Sequence, residues 1–235
     1  PRLGVSYRID DRTVVRGGYG MSTAPFGDNS YAFNFPVKQN NQFNAPNGFV
    51  TPAGVSMANG FPAPVVADIP SSGIIDAGAD SRLRNAAYFH IPNNLREGQI
   101  HSWNVAFQRE IGYNFTVDIA YVGNHGQDII QRLDLNAGYV LGADNAGRPQ
   151  FAQYGRTSSV TTFLPYETDY NSLQIKVDRR FKNNFLVTNS YTLGKGVSYD
   201  GGDSNGTIST PADISRSWGR TSNDRRHTFV SSFVY

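Results

Sequence analysis

Cysteine is absent from the 235 residues of this chain, which excludes disulfide bonds. In a periplasmic or outer-membrane protein the absence avoids misoxidation, although many cytosolic proteins also lack Cys. Long hydrophobic runs are missing too, since no stretch approaches the roughly 18 apolar residues of a transmembrane helix. The net charge of +2 is spread along the chain, without the basic tract of a nucleic-acid binder. These absences exclude a helical membrane protein and disfavour nucleic-acid binding.

Aromatic residues and glycine are abundant, with 13 Tyr, 15 Phe and 24 Gly. Such a composition suits strands, turns and the aromatic girdles of membrane barrels better than helices. The chain begins at Pro1 without a charged and apolar leader, so we expect an internal piece of an exported protein.

Seven segments alternate apolar and polar residues with period two, the pattern of a strand with two unlike faces. In the third, Trp103, Val105 and Phe107 alternate with polar neighbours. About ten residues tilted by about 40° rise on the order of 25 Å, the height of the apolar band of an outer-membrane barrel. The predicted strands span residues 2–9, 14–21, 102–111, 115–122, 171–181, 185–193 and 226–235.

The connections between these strands alternate in length. Tight turns are predicted at 10–13, 112–114 and 182–184, and long irregular loops at 22–99, 123–169 and 194–225. Such long loops are unusual in a compact soluble domain but common in outer-membrane barrels. The pattern predicts an all-β fold, an antiparallel transmembrane β-barrel segment of about seven strands.

Period-two alternation also fits a soluble secreted β-sandwich that acts as a binding module, which would bury one strand face in a dry core. The barrel interpretation predicts that the apolar faces lie on the convex side of one antiparallel sheet. Burial of Leu173, Ile175 and Val177 in a globular core would contradict it. Asn189 falls on the apolar side of the sixth strand, which is atypical of a lipid-facing position.

Seven segments occur in an order that resembles the barrel of TonB-dependent receptors of the Oar-like type, whose members often carry a carboxypeptidase-regulatory-like domain. The resemblance implies an outer-membrane protein with a 22-stranded barrel and a plug, coupled to TonB, with tight turns in the periplasm and long loops outside. Its partners would be outer-membrane lipid, the remaining strands and plug, and an unknown extracellular ligand. The segments are 1–8, 15–20, 102–110, 117–126, 170–181, 190–195 and 224–229.

Seven strands cannot close around a plug, so we expect residues 1–235 to be a section of the barrel wall. The function expected is ligand uptake by a TonB-dependent receptor. The alternatives are an adhesion or interaction barrel without transport, and the secreted β-sandwich.

No pattern of enzymatic chemistry stands out, so we predict no catalytic, cofactor-binding or metal-binding residues, and we leave the ligand-binding residues unknown. Residues 16–20 resemble one RGG segment without repeats, and Gly194-Lys195-Gly196 lacks the Ser or Thr of a P-loop. The Asp/Gly-rich residues 200–206 have oxygen ligands for calcium but no complete calcium-loop spacing. The remaining residues considered for metal binding or catalysis are scattered histidines and inward-facing carboxylates. They are His90, His101, His125, His227, Glu110, Asp118 and Asp178.

Overall fold

The computed structural model describes residues 1–25, 58, 60, 70–72, 88–138, 140–182, 185–199, 207–208 and 211–235. Their strands form one 10-stranded sheet. The strands are β1 (Arg2–Asp10), β2 (Thr13–Ala24), β3 (Tyr88–His90), β4 (Gly98–Gly112), β5 (Phe115–Asp134), β6 (Val160–Lys182), β7 (Phe185–Ser198), β8 (Thr207–Ile208), β9 (Gly219–Arg220) and β10 (His227–Val234). Short helices span Asp144–Gly147, Phe151–Tyr154 and Pro211–Ser217.

Seven strands make up the wall of the sheet, in the order β1-β2-β4-β5-β6-β7-β10. All neighbours along this path are antiparallel. The short strands lie off the path, with β3 and β8 parallel to β6 and β5, and β9 antiparallel to β7. The described residues thus form one open sheet, which excludes the sandwich of two packed sheets. No helix in this part of the chain is long and apolar enough to cross a membrane.

Strand pairing places most apolar residues of the seven wall strands on one face of the sheet. Directly paired residues share a face, because side chains alternate along each strand. One such row crosses the whole wall without a polar interruption. It consists of Tyr7, Val15, Phe107, Ile119, Ile175, Tyr191 and Phe229.

The observed strands are longer than the sequence pattern predicts, mainly on the side of the long loops. The predicted loop over 123–169 is in fact strand as far as Asp134 and again from Val160. Most of the predicted loop over 22–99, the tip of the 182–184 turn and residues 200–206 lie outside the described residues.

The turn between β4 and β5 has the geometry of a two-residue hairpin. Tyr113 and Asn114 have φ angles of 51° and 63°, and the flanking Gly112 pairs with Phe115. Positive φ at both central residues defines a type I′ turn, which matches the twist of antiparallel strands. The tight turn predicted at 112–114 is therefore confirmed.

A bulge in β5 marks the height at which the side chains of this strand switch faces of the sheet. The register shifts between Gly126 and Ile129, and Asp128 has a φ of 55°. A side chain at Gly126 would place its Cβ 2.4 Å from Thr168 Oγ1, so only glycine fits without rearrangement. Beyond this bulge the odd-numbered residues of β5 change faces, because an extra residue shifts the alternation.

The packed interior lies beyond the bulge and not in the wall. Phe163, Leu133 and Ala137 are only 1%, 4% and 6% exposed. They belong to the ends of β5 and β6 and the segment between them. We call residues 129–166 together with β3 the loop module.

Candidate functional site

The apolar face of the wall is exposed along its whole width. The apolar side chains of β1 and β10 are the most exposed, with Leu3 at 74%, Val5 at 68% and Phe229 at 67%. Leu173 is 39% exposed, and Ile175 and Val177 are not buried either. Their burial in a globular core would have contradicted the barrel interpretation, and it is not observed. A contiguous apolar surface this large requires an apolar solvent or partner.

Three tyrosines on this face repeat one hydrogen-bonding arrangement. Tyr19 Oη lies 2.6 Å from His101 Nδ1, and Tyr191 Oη lies 2.8 Å from His227 Nδ1. Tyr121 Oη donates to Asn171 Oδ1. In each pair the partner is on the next strand, two residues closer to the long loops than the residue that pairs with the tyrosine. Tyrosines with an apolar ring and a hydrogen-bonded hydroxyl are typical of the membrane–water interface.

These three tyrosines also give the tilt of the strands. Tyr121 is two residues nearer to the tight turns than Gly123, which shares the row of Tyr19. Tyr191 is again two residues nearer than Leu193, which shares the row of Tyr121. If the three rings lie at one depth, that depth shifts by one residue per strand. A rise of about 3.3 Å over a strand spacing of about 4.8 Å corresponds to a tilt of about 35°, within the range of outer-membrane barrels.

The opposite face of the wall carries mainly small or polar side chains. One row across it reads Gly4, Gly18, Asn104, Val122, Ser172 and Gly194. The RGG-like residues 16–20 are part of β2, so their glycines serve a strand rather than RNA binding.

Ion pairs cross this polar face. Arg16 pairs with Asp118 across β4, and the residue that pairs with Arg16 on β4 is the small, buried Ala106. Lys176 Nζ lies 2.7 Å from Asp178 Oδ2, and Thr188 Oγ1 donates to Asp178 Oδ1 at 2.7 Å. The inward-facing carboxylates of Asp118 and Asp178 are thus both ion-paired.

Asn136 is the structural centre of the loop module and is completely buried. Its backbone N–H donates to Asp134 Oδ1 at 2.9 Å, and its Nδ2 donates to Ser158 O at 2.8 Å. Its Oδ1 accepts from the N–H of Gln150 at 2.9 Å, and its carbonyl accepts from Arg148 Nη1 at 2.9 Å. These bonds join Asn136 to Arg148, Gln150 and Ser158 within the loop module. The bond to Asp134 is an Asx turn, the one local signal that sequence reasoning missed here.

Arginines and aromatic rings join β3 to the loop module. The guanidinium carbon of Arg156 lies 4.5 Å from the centre of the Tyr88 ring, and Arg132 lies 5.8 Å from that of Phe89. Burial lowers the pKa of the Arg156 guanidinium, although the side chain stays cationic because its ordinary pKa is so high. His90 Nδ1 lies 3.0 Å from Thr162 Oγ1 in the same region.

The histidines do not come together. His101, His125 and His227 are bonded to Tyr19, Asp169 and Tyr191 respectively, on different strand pairs. Among the described residues no group of three His, Cys, Asp or Glu side chains is placed to hold a metal. The candidate calcium segment 200–206 lies outside them.

Comparisons with known proteins identify the family. All residues from 1 to 235 match the family model described as an outer membrane beta barrel domain, so the chain belongs to this family. No curated protein matches the chain. The chain is also similar to three solved structures at low identity. These are the FpvAI–pyocin S2 complex (9% identity, TM-score 0.46), the copper transporter OprC (11%, 0.38) and the siderophore receptor PirA from Pseudomonas aeruginosa (12%, 0.31).

The structural alignments cover 99%, 83% and 84% of this chain but only 20%, 20% and 34% of those three chains. The chain thus spans between about a fifth and about a third of their lengths. Family membership by itself places the protein in the outer membrane, as a membrane barrel rather than an enzyme. The apolar face of the wall then faces lipid.

Proposed function

We propose that this chain is a section of the wall of a TonB-dependent outer-membrane receptor that takes up a ligand. The observation that carries the proposal is the open wall with an apolar lipid face and a polar face crossed by ion pairs. Within the described residues, β1 and β10 each pair on one side only. Unpaired strand edges are untenable in lipid, so further strands must complete the barrel.

The polar face supports a hydrated lumen wide enough for a plug. Glycine, serine and charged side chains on this face suit contact with water or a soluble plug better than a dry core. In the smallest barrels the interior is filled by side chains, whereas wide barrels enclose a channel or a plugged lumen. The sequence resemblance supports the particular choice of a plugged receptor coupled to TonB, with the tight turns in the periplasm and the long loops outside.

The loop module supports ligand capture on the outer side. Its segment 135–159 rises beyond the bulge, where the strands pass the level of the tyrosines. Val140 and Leu141 in this segment are 56% and 102% exposed, and ordered presentation of such residues would lower the ordering cost of binding. An adhesion barrel would use the same module without transport.

Binding of TonB distinguishes a TonB-dependent receptor from an adhesion barrel, because only the receptor needs it. Native outer membranes with the complete protein are mixed with the purified periplasmic C-terminal domain of TonB and sedimented. We expect this domain to sediment with the membranes and to stay in solution with membranes lacking the protein. Equal recovery from both membranes would contradict the receptor proposal and favour an adhesion barrel.

A further inference from the structure

We propose that a cationic depression on the lipid-facing side of the wall binds the phosphate-bearing headgroup of an outer-leaflet lipid. The depression has a volume of about 360 Å³. Tyr121, Leu173 and Leu193 form its apolar part, and Lys195, Arg220 and Arg226 form its cationic part. No motif in the sequence points to this set, because Lys195 lies in β7, Arg220 in β9 and Arg226 just before β10.

The depression opens on the apolar face and not into the lumen. Leu173 pairs with both Tyr121 and Leu193, so all three side chains share the lipid-facing side. On the polar side the neighbouring positions are closed. A Cβ added to Gly194 would lie 3.2 Å from Tyr170 Oη, and Ser172 is only 3% exposed.

The height of the cations fits a lipid headgroup. Lys195 follows Tyr191 by four residues on the tilted β7, which places it on the order of 10 Å farther from the membrane centre. The headgroup layer begins just beyond an interfacial tyrosine, so acyl chains would lie on Leu173 and Leu193 and the phosphate beside Lys195.

The charge of the cluster is largely uncompensated within the described part of the chain. Lys195 and Arg226 are exposed and have no carboxylate partner among these residues. Arg220 Nε lies 3.8 Å from Asp224 Oδ2, so this carboxylate offsets part of the charge of the cluster, while Lys195 and Arg226 keep theirs. The nearby Asp169 is bonded to His125 at 2.8 Å. Lysine and arginine donate strong charge-assisted hydrogen bonds to phosphate oxygens.

The proposal rests on the outward orientation of the long loops given under Proposed function, but not on coupling to TonB. Failure of TonB to sediment with the membranes leaves it intact, and loss of lipid binding leaves the receptor function intact. A negative result of the TonB sedimentation experiment can therefore be told apart from a negative result of the lipid-binding experiment.

The test measures lipid binding to the complete purified protein in nonionic detergent by native mass spectrometry. The probe is diphosphoryl lipid A, with the same lipid stripped of its phosphates for comparison. The variant K195Q/R220Q/R226Q removes the three cations. We expect its affinity for the diphosphoryl lipid to fall by on the order of 100-fold, since each cation near a charged lipid surface contributes about a factor of five to ten.

The matched control is R8Q/R12Q/R96Q, which removes three exposed cations elsewhere. We expect the control to bind like the wild type and K195R to keep most of the affinity. Both triple variants must keep the heat-modifiable migration of a folded barrel. Equal lipid affinity in wild type and K195Q/R220Q/R226Q, or equal affinity for both lipids, would overturn the proposal. Displacement of the lipid by equimolar inorganic phosphate would also overturn it, in favour of a small-anion site.

Discussion

At the scale of single residues, Asn136 has a larger structural role than its chemistry suggests. An asparagine in a loop is usually solvated, whereas this one is completely buried and uses both its side-chain amide and its backbone. Buried polar groups of this kind are costly when a partner is removed. The side chain of Asn136 therefore links Gln150 and Ser158, two parts of the loop that are distant in sequence.

Asn136→Ala should open the loop module without unfolding the wall. The substitution leaves the N–H of Gln150 and the carbonyl of Ser158 without their buried partner, which costs about 2–4 kcal/mol of local stability. Hydrogen exchange monitored by mass spectrometry should show faster exchange over 135–159 and unchanged exchange in β1 and β2. The exposed Asn145 in the same loop is the control, and Asn145→Ala should leave exchange unchanged. Wild-type protection in Asn136→Ala would show that other contacts hold the loop.

At the scale of elements, the sequence predicts the wall strands well where alternation continues and poorly where one residue breaks it. The alternation predicts that β5 ends at residue 122, whereas the strand continues to Asp134 past a bulge near Gly126 and Asp128 that interrupts period two. The alternation of apolar and polar residues predicts that β6 starts at 171, whereas the strand starts at Val160 and includes a proline. Pro165 in fact lies where β6 pairs with β5 but not with β7, and an edge strand tolerates a residue without an N–H.

The hairpin between β4 and β5 carries strain that a substitution should release. Tyr113 has a φ of 51°, a conformation that costs an ordinary L-residue about 1–2 kcal/mol. Tyr113→Gly should raise the free energy of unfolding of the complete barrel in detergent micelles by about 1 kcal/mol. Chemical denaturation followed by tryptophan fluorescence measures the change. Asn114→Gly should have a smaller effect, because asparagine tolerates this conformation better. A lower stability of Tyr113→Gly would mean that the ring makes contacts that outweigh the strain.

At the scale of the whole molecule, the effect of a substitution on stability depends more on which face of the wall it alters than on which strand carries it. Val177 and Gln174 both lie in β6 but face lipid and lumen respectively. The same substitution at the two positions should therefore have different consequences.

Val177→Arg should destabilise the barrel in lipid vesicles by about 2–4 kcal/mol, the cost of a cationic side chain well inside the apolar band. Gln174→Arg should change stability by less than about 1 kcal/mol, because a hydrated lumen accepts the charge. Urea unfolding in vesicles measures both values. Equal destabilisation by the two variants would contradict the assignment of the faces.

The sequence by itself determined the two unlike faces of each wall strand and the tight turns, because both depend on local alternation and turn chemistry. The tertiary structure decided the features that join distant residues. These are the tilt from Tyr19 to Tyr191, the burial of Asn136 and the meeting of Lys195, Arg220 and Arg226. Strand register and loop packing set these contacts, and neither leaves a periodic signal in the chain.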